Sequence, residues 1–422
     1  MSKQGETSVS PAGSATLGEQ ASLKVRLRRA ERMRKITAFG LVAPLLVFVI
    51  VTFALPIAGM LWRSVEDTEL STVMPRTIAA IKHWDGKDTP SDDAFRAAAT
   101  DLAEAKDKGT LSTAARRLNY DVNGFRSLIM STARKLPPAD SADMKAAFIA
   151  LDPRWGEQNS WAAIKRASGP LTDFYLLAAV DLQHDANGSI VQTGSDRAIY
   201  VDVLIRTFRI SLTVTLLALV LAFPLAYLMS TQPAKTANLL MILVLLPFWT
   251  SLLVRTAAWV VLLQNEGLVN NLLIWLGIID HPIRLIYNSI GVHVAMTHVL
   301  LPFMILPLYS TMKAIKPHYM RAATSLGAPP VIAFLRVYLP QCIPGIAAGC
   351  LLVFILAIGY YITPALVGGA GDQMLSYFVA FYTTDSVNWG MASALGAVLL
   401  VTTLILYGVY SRLVGGNAIK MG

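Results

Sequence analysis

Charge and sulfur are both scarce in this chain. Only 15% of its 422 residues are Asp, Glu, Lys or Arg, against roughly a quarter in ordinary soluble domains, while 54% are hydrophobic. That balance excludes a disordered chain and an ordinary water-soluble globule. Two cysteines, Cys342 and Cys350, are too few for a disulfide scaffold or a four-cysteine zinc site. Both lie in one apolar run and read as small packing residues. No glycine loop followed by Lys and Ser/Thr occurs, so the chain lacks that kind of ATP phosphate cradle. Metalloprotease and nucleophile-elbow motifs are missing as well. Gly368–Gly371 has the glycines of a phosphate loop without the lysine, and reads as a flexible exit from a span. His293 and His298, five apart, point to different helix faces, and His83 and His184 read as isolated, solvated side chains. The chain is therefore not expected to be an enzyme, and no metal or cofactor is expected on it.

What is abundant is long apolar runs. Residues 36–62 carry no charge over a length that exceeds the roughly 20 helical residues a bilayer core requires. Further runs at 210–229, 239–263, 289–312, 343–363 and 390–411 give six spans and an all-α integral membrane protein. Basic residues flanking spans stay on the cytoplasmic side. Eight Lys/Arg precede residue 36, and the segments 230–238, 313–339 and 412–422 are basic, whereas the short loops 264–288 and 364–389 carry only Arg284. Both ends are thus expected inside, in a multi-pass membrane protein. The net charge of +9 then marks topology, and nucleic acid is not an expected partner; membrane lipid is.

The expected organisation follows the same pattern. Residues 1–35 form a basic cytoplasmic segment, of which 1–20 read as disordered and 23–35 as a flank or a helix on anionic headgroups. Residues 36–62 are the first span. Residues 63–203 hold 20 acids and 17 bases and read as a helical domain inserted outside the membrane. Its helices are expected at 92–108, 112–118 and 141–151, with turns at Asp85–Gly86, Pro137–Pro138 and Asn187–Gly188. Residues 204–415 form a five-helix core, and 416–422 a cytoplasmic tail.

The most informative stretch is the inner loop 313–339. It reads Arg321-Ala322-Ala323, three residues, Gly327, nine residues, then Val337-Tyr338-Leu339-Pro340. Small residues permit close approach of a partner surface, Gly327 permits a sharp turn between two short helices, and Pro340 suits the first turn of the next span. This pattern resembles the EAA motif of binding-protein-dependent ABC importer permeases: Glu-Ala-Ala, three residues, Gly, nine residues, Ile, one residue, Leu-Pro. Arg321 stands where the family has an acid, and Val337 where it has Ile. Over 36–62 and 204–415, the runs Leu246-Pro247-Phe248-Trp249-Thr250-Ser251, Val254-Arg255-Thr256, Tyr287-Asn288, Leu301–Pro307 and Tyr361-Ile362-Thr363-Pro364-Ala365-Leu366 look like the spermidine/putrescine branch. Residues 63–203 fall outside the resemblance, because that branch has a short first outer loop.

The resemblance implies a type I importer permease fold and a transport subunit. ATP and Mg belong to partner ATPase subunits, a second permease completes the pathway, and a periplasmic binding protein delivers a small cationic solute. Arg321, Ala322, Ala323, Gly327, Val337, Leu339 and Pro340 would form the ATPase-coupling element. Other importers of the superfamily carry iron, thiamine or sulfate, and a membrane sensor or a secondary transporter are the readings from other classes. For a cationic solute, Asp372 with Tyr360 and Tyr361 are the pathway candidates, the alternative for Asp372 being a solvated loop acid. Trp249 is a pathway residue or an interfacial anchor. Arg255, the one charge inside an expected span, either forms a gating pair with Glu266 or snorkels outward. Prolines at 44, 56, 224, 247, 302, 307, 344 and 364 point to kinked or broken spans. The inserted domain is expected to dock the binding protein or to serve as a structural cap.

Overall fold

In hydrocarbon no water satisfies backbone N–H and C=O groups, so apolar runs of this length must be helical. The computed structural model describes residues 17–185 and 188–418, and helices dominate it. Residues 1–16 of the expected disordered start, Asn187 of one expected turn and residues 419–422 of the tail lie outside the described residues.

Residues up to Met60 form one unit and those from Leu61 another. The first holds α1 (Leu17–Val49), a π-helical turn (Ile50–Ala54) and most of α2 (Leu55–Arg63). Pro56 accounts for the turn. Its ring would strike the carbonyl four residues back and it offers no N–H, so the ladder widens by one residue just before it. The Leu55 N–H accordingly bonds the Ile50 carbonyl.

The second unit opens with a helical layer: α3 (Glu69–Val73), α4 (Pro75–Ile81), α5 (Asp92–Asp107), α6 (Leu111–Asp121), α7 (Phe125–Arg134), α8 (Met144–Leu151), α9 (Gln158–Arg166) and α10 (Phe174–Ala178). The α5 sequence buries Ala94, Phe95, Ala98, Leu102 and Ala105, the three- and four-residue spacing of a single helix face. These meet Leu118, Ile129, Phe148, Trp155 and Trp161 in one core. Both indoles are wholly buried with their N–H groups satisfied: Trp155 donates to Thr132 Oγ1 and Trp161 to the Trp155 carbonyl, each at 2.8 Å. A short antiparallel hairpin, β1 (Leu182–His184) with β2 (Ile190–Gln192), brackets the expected 187–188 turn. The all-α reading missed it. His184 is also not an isolated solvated side chain: its ring bonds Asp173 Oδ2 at 2.9 Å and the Gly188 carbonyl at 3.0 Å.

The remaining helices are α11 (Tyr200–Thr231), α12 (Ala234–Leu245), α13 (Leu252–Leu262), α14 (Leu268–Trp275), α15 (Ser289–Ala314), α16 (His318–Ser325), α17 (Pro330–Ala333), α18 (Leu339–Gly359), α19 (Ile362–Val367), α20 (Leu375–Thr384) and α21 (Trp389–Ala418). Helices α11, α15 and α18 make the apolar centre. On α11, Ile210, Val214, Ala218, Ala222 and Ala226 recur every four residues and are buried. On α18, Gly345 and Gly349 let the backbone approach α15. A Cβ on Gly345 would lie 2.6 Å from Thr311 Oγ1, and one on Gly349 2.7 Å from Met304 Sδ. Cys342 and Cys350 are free on the same helix.

Among the described residues, five helices are long and apolar enough to cross a bilayer: Glu31–Arg63, Tyr200–Thr231, Ser289–Ala314, Pro330–Gly359 and Trp389–Arg412. The run expected as one span at 239–263 is instead two pieces, Ala234–Trp249 and Leu252–Leu262, bent by 96°. The run expected at 343–363 begins earlier and ends at Gly359.

The outer helical layer is seated on this bundle. Tyr175 and Ala179 pack with Val203, Leu375, Met391 and Leu395. At Gly390 the contact leaves no room for a side chain, since a Cβ would lie 2.5 Å from Tyr175 Cε2. Asp181, itself at φ +58°, uses both carboxylate oxygens to accept the first N–H groups of α11, from Tyr200 at 3.0 Å and Val201 at 2.8 Å. An acid at that end also complements the helix dipole.

Candidate coupling element and pathway residues

Helix α16 carries Arg321, Ala322 and Ala323, and it stops in a defined way. Gly327 sits at φ +88°, its N–H reaches the Thr324 carbonyl at 3.0 Å, and the Ala328 N–H reaches Ala323 at 3.1 Å. That paired geometry is a Schellman stop, which calls for a left-handed residue and hence favours glycine. Pro329 and Pro330 then start α17. Val337, Leu339 and Pro340 do not lie in a loop. A second π-turn (Phe334–Tyr338) runs straight into α18, with the Leu339 N–H on the Phe334 carbonyl. Pro340 again stands two residues beyond the turn, as Pro56 does in the first span.

The arms of this helix pair differ in support. Phe334 stacks on Tyr338 at 5.4 Å, and both meet Tyr227 of α11 edge-on at 5.7 and 5.4 Å. The π-turn is thereby clamped to the C-terminal end of α11. The tip is bare: Leu326 is 89% exposed, and Val331, Ile332, Leu335 and Tyr319 are exposed with it. Arg321 is exposed and has no ion-pair partner among the described residues. Large apolar side chains grouped in this way mark a surface that a partner protein or lipid covers.

The second feature is the elbow between α12 and α13. Pro247 starts a 3-10 turn (Leu246–Trp249), Thr250 is extended, and Ser251 caps α13 by accepting the Val254 N–H at 3.2 Å. Trp249 is 90% exposed at the corner. Arg255 lies half-buried on the first turn of α13, and its Nε is buried with no hydrogen-bond partner. The expected pair with Glu266 does not form. Glu266 is exposed in the loop after α13, and no ion pair joins the two. At the centre of a bilayer an unpaired Arg costs about 2.5–3.5 kcal/mol on insertion scales.

On the other side, Asp372 is engaged locally: its Oδ2 accepts the Gly369 N–H at 3.0 Å. No hydrogen bond joins Asp372 to Tyr360 or Tyr361 among the described residues. Tyr360 is half-buried against the central core, while Tyr361 is exposed. A residue overlooked as a structural point is Tyr287. It holds φ +57°, donates its N–H to the Val367 carbonyl at 2.7 Å, and sits so close to Gly369 that a Cβ there would lie 2.9 Å from its carbonyl oxygen. The Tyr287-Asn288 pair was legible as a motif, but its strained backbone was not.

Residues 214–415 match the family described as binding-protein-dependent transport system inner membrane component. The spermidine/putrescine transport system permease protein PotB of Escherichia coli (strain K12) is 34% identical over 214 residues, covering 51% of this chain and 78% of that protein. The protein of the same name from Haemophilus influenzae is 38% identical, covering 51% and 75%. The sulfate transport system permease protein CysT of Escherichia coli is 28% identical, covering 31% and 48%. The chain belongs to the binding-protein-dependent transport system inner membrane component family. It is accordingly a permease subunit of an ABC importer, located in the inner membrane. The family match includes the elbow, the Tyr287 turn and the helix pair at Gly327, and it begins only after the outer helical layer.

Proposed function

We propose that this permease imports a small cationic solute of the polyamine class, by alternating access, from the periplasm to the cytoplasm. The reading is supported by identity with the PotB proteins across three quarters or more of their length. The single structural observation that carries the mechanism is the Schellman-stopped helix pair at Gly327, bare at its tip and clamped at its base to α11. In this reading Arg321, Ala322, Ala323, Gly327, Val337, Leu339 and Pro340 couple a partner ATPase, which holds ATP and Mg, to the spans. The bent pair counts as one broken span, giving six crossings with both ends inside. A second permease subunit and a periplasmic binding protein complete the importer, and the outer helical layer is the platform that the binding protein meets. Closure of the ATPases pushes the tip, and the aromatic clamp passes that displacement to α11, so two packed arrangements exchange.

The test is uptake of labelled spermidine and putrescine into proteoliposomes holding the whole transporter and its binding protein. ATP-dependent accumulation is expected, with loss in Gly327→Val. A cysteine placed at Ser325 should react only with reagent supplied on the ATPase side. Accumulation of sulfate with no polyamine uptake would overturn the substrate, and labelling from the binding-protein side would overturn the topology.

A further inference from the structure

Among the described residues Arg255 forms no ion pair, and its buried Nε has no hydrogen-bond partner. The His298 and Tyr360 rings are both within its electrostatic reach. His298 Nδ1 already accepts the Trp259 indole N–H at 3.1 Å, so its other nitrogen carries the proton and cannot accept from a guanidinium. Tyr360 makes no hydrogen bond to Arg255. Of the acids beyond residue 203, Glu266, Asp280 and Asp385 are exposed and form no ion pair with Arg255, and Asp372 accepts the Gly369 N–H.

The backbone at the elbow also disfavours a lipid-facing seat. Just before Arg255 the chain turns by 96°, and the first-turn N–H groups of Leu252 and Leu253 have no intrahelical acceptor. Hydrocarbon does not tolerate such backbone; protein or a water-filled path must cover it. Yet Leu253, Val254 and Val261 of α13 are 59%, 61% and 62% exposed, which is unsuited to a water-filled path. A cationic solute would be repelled. What fits is an apolar protein surface bearing an acid.

We propose that the elbow 249–255 is covered by the second permease subunit, with a carboxylate of that subunit seated on the Arg255 guanidinium. The proposal rests on the reading of this chain as one of two permease subunits. Such a pair would fix the register of the two subunits at the bend, where neither helix alone completes its hydrogen bonding.

The experiment uses the assembled transporter in nanodiscs. Arg255→Lys places an amine where the guanidinium was, and dicyclohexylcarbodiimide joins an amine to a carboxylate in direct contact. Mass spectrometry of the digest should find position 255 linked to an Asp or Glu of the second permease. A link to Glu266 or another acid of this chain, or no link in an intact assembly, overturns the pairing. In parallel, Arg255→Glu should lower the second permease recovered with this chain by about tenfold or more, with Arg255→Lys within about twofold of the parent. Equal recovery of all three also overturns it. Failure of the unaltered chain to hold a second permease would instead strike at the permease pairing itself.

Discussion

Replacing Arg117 by Met is the sharpest test of how the outer helical layer is held together. The guanidinium is 1% exposed and bonds Asp67 Oδ2 at 2.6 Å and Asp121 Oδ2 at 2.9 Å, with side chains 0% and 7% exposed. It also lies 4.8 Å from the Phe174 ring and 5.6 Å from Tyr175. Met preserves the stem volume but strands two carboxylates in one buried place. Breaking a buried pair in this way costs about 3–5 kcal/mol, and the lost ring contacts add about 0.5–2 kcal/mol. Taking about 4 kcal/mol, the unfolding equilibrium of the layer shifts by roughly a thousandfold, and its melting temperature falls by about 10 °C or more. The readouts are thermal unfolding in detergent and trypsin cleavage after exposed Lys135. The pH dependence has a definite sign. Burial already raises the Asp121 carboxyl, with Arg117 opposing it. Without Arg117 the Asp121 carboxyl rises further, so the variant regains stability as pH falls through its raised value. The parent gains less over that window. A melting temperature within about 2 °C of the parent, with no recovery in acid, would refute the reasoning.

Other consequences are quicker to check. Gly327→Val forces a β-branched residue to φ +88°, costing about 1–2 kcal/mol locally, and should reduce co-purified ATPase while the fold survives by circular dichroism. Gly390→Ala drives a methyl into the Tyr175 ring; a loss of about 1–3 kcal/mol in the stability of the outer layer is expected from thermal unfolding. The lowered carboxylates of the layer should lose their contribution in acid, against the gain from Asp121. A backbone N–H from Lys145 lowers the Asp92 carboxyl, bonds from Lys108 and Arg76 bring Glu104 down to about 2, and Arg154 lowers Asp152. Depressed acids contribute fully above their unfolded values of 3.8–4.5 and lose that contribution as pH falls through the folded ones. Chemical denaturation at pH 7 and pH 3 should show the drop.

Much of the architecture could be read from residue order because it depends on local chemistry. Apolar runs too long for a soluble helix, and the α5 face at 94, 95, 98, 102 and 105, require no knowledge of the partner surface. The Arg321-Ala322-Ala323…Gly327 spacing likewise predicts a turn between short helices, since glycine is the residue that tolerates a left-handed stop. The elbow was partly legible: Pro247 followed by Ser251 at a capping distance from Val254 is a stop-and-restart signal. Hydropathy averaged over 239–263 smoothed it away. The same averaging hid the π-turns before Pro56 and Pro340.

Residue order by itself determined that this chain must be helical, membrane-embedded and hinged at Gly327, because those follow from solvent preference and backbone sterics. Tertiary packing alone decided which charges meet. Asp67 finds Arg117 across 50 residues, Asp181 caps a helix 19 residues on, and Arg255 misses Glu266 despite a separation of only 11. Ion pairing depends on where folded elements aim their side chains, and no periodicity in the chain encodes that direction.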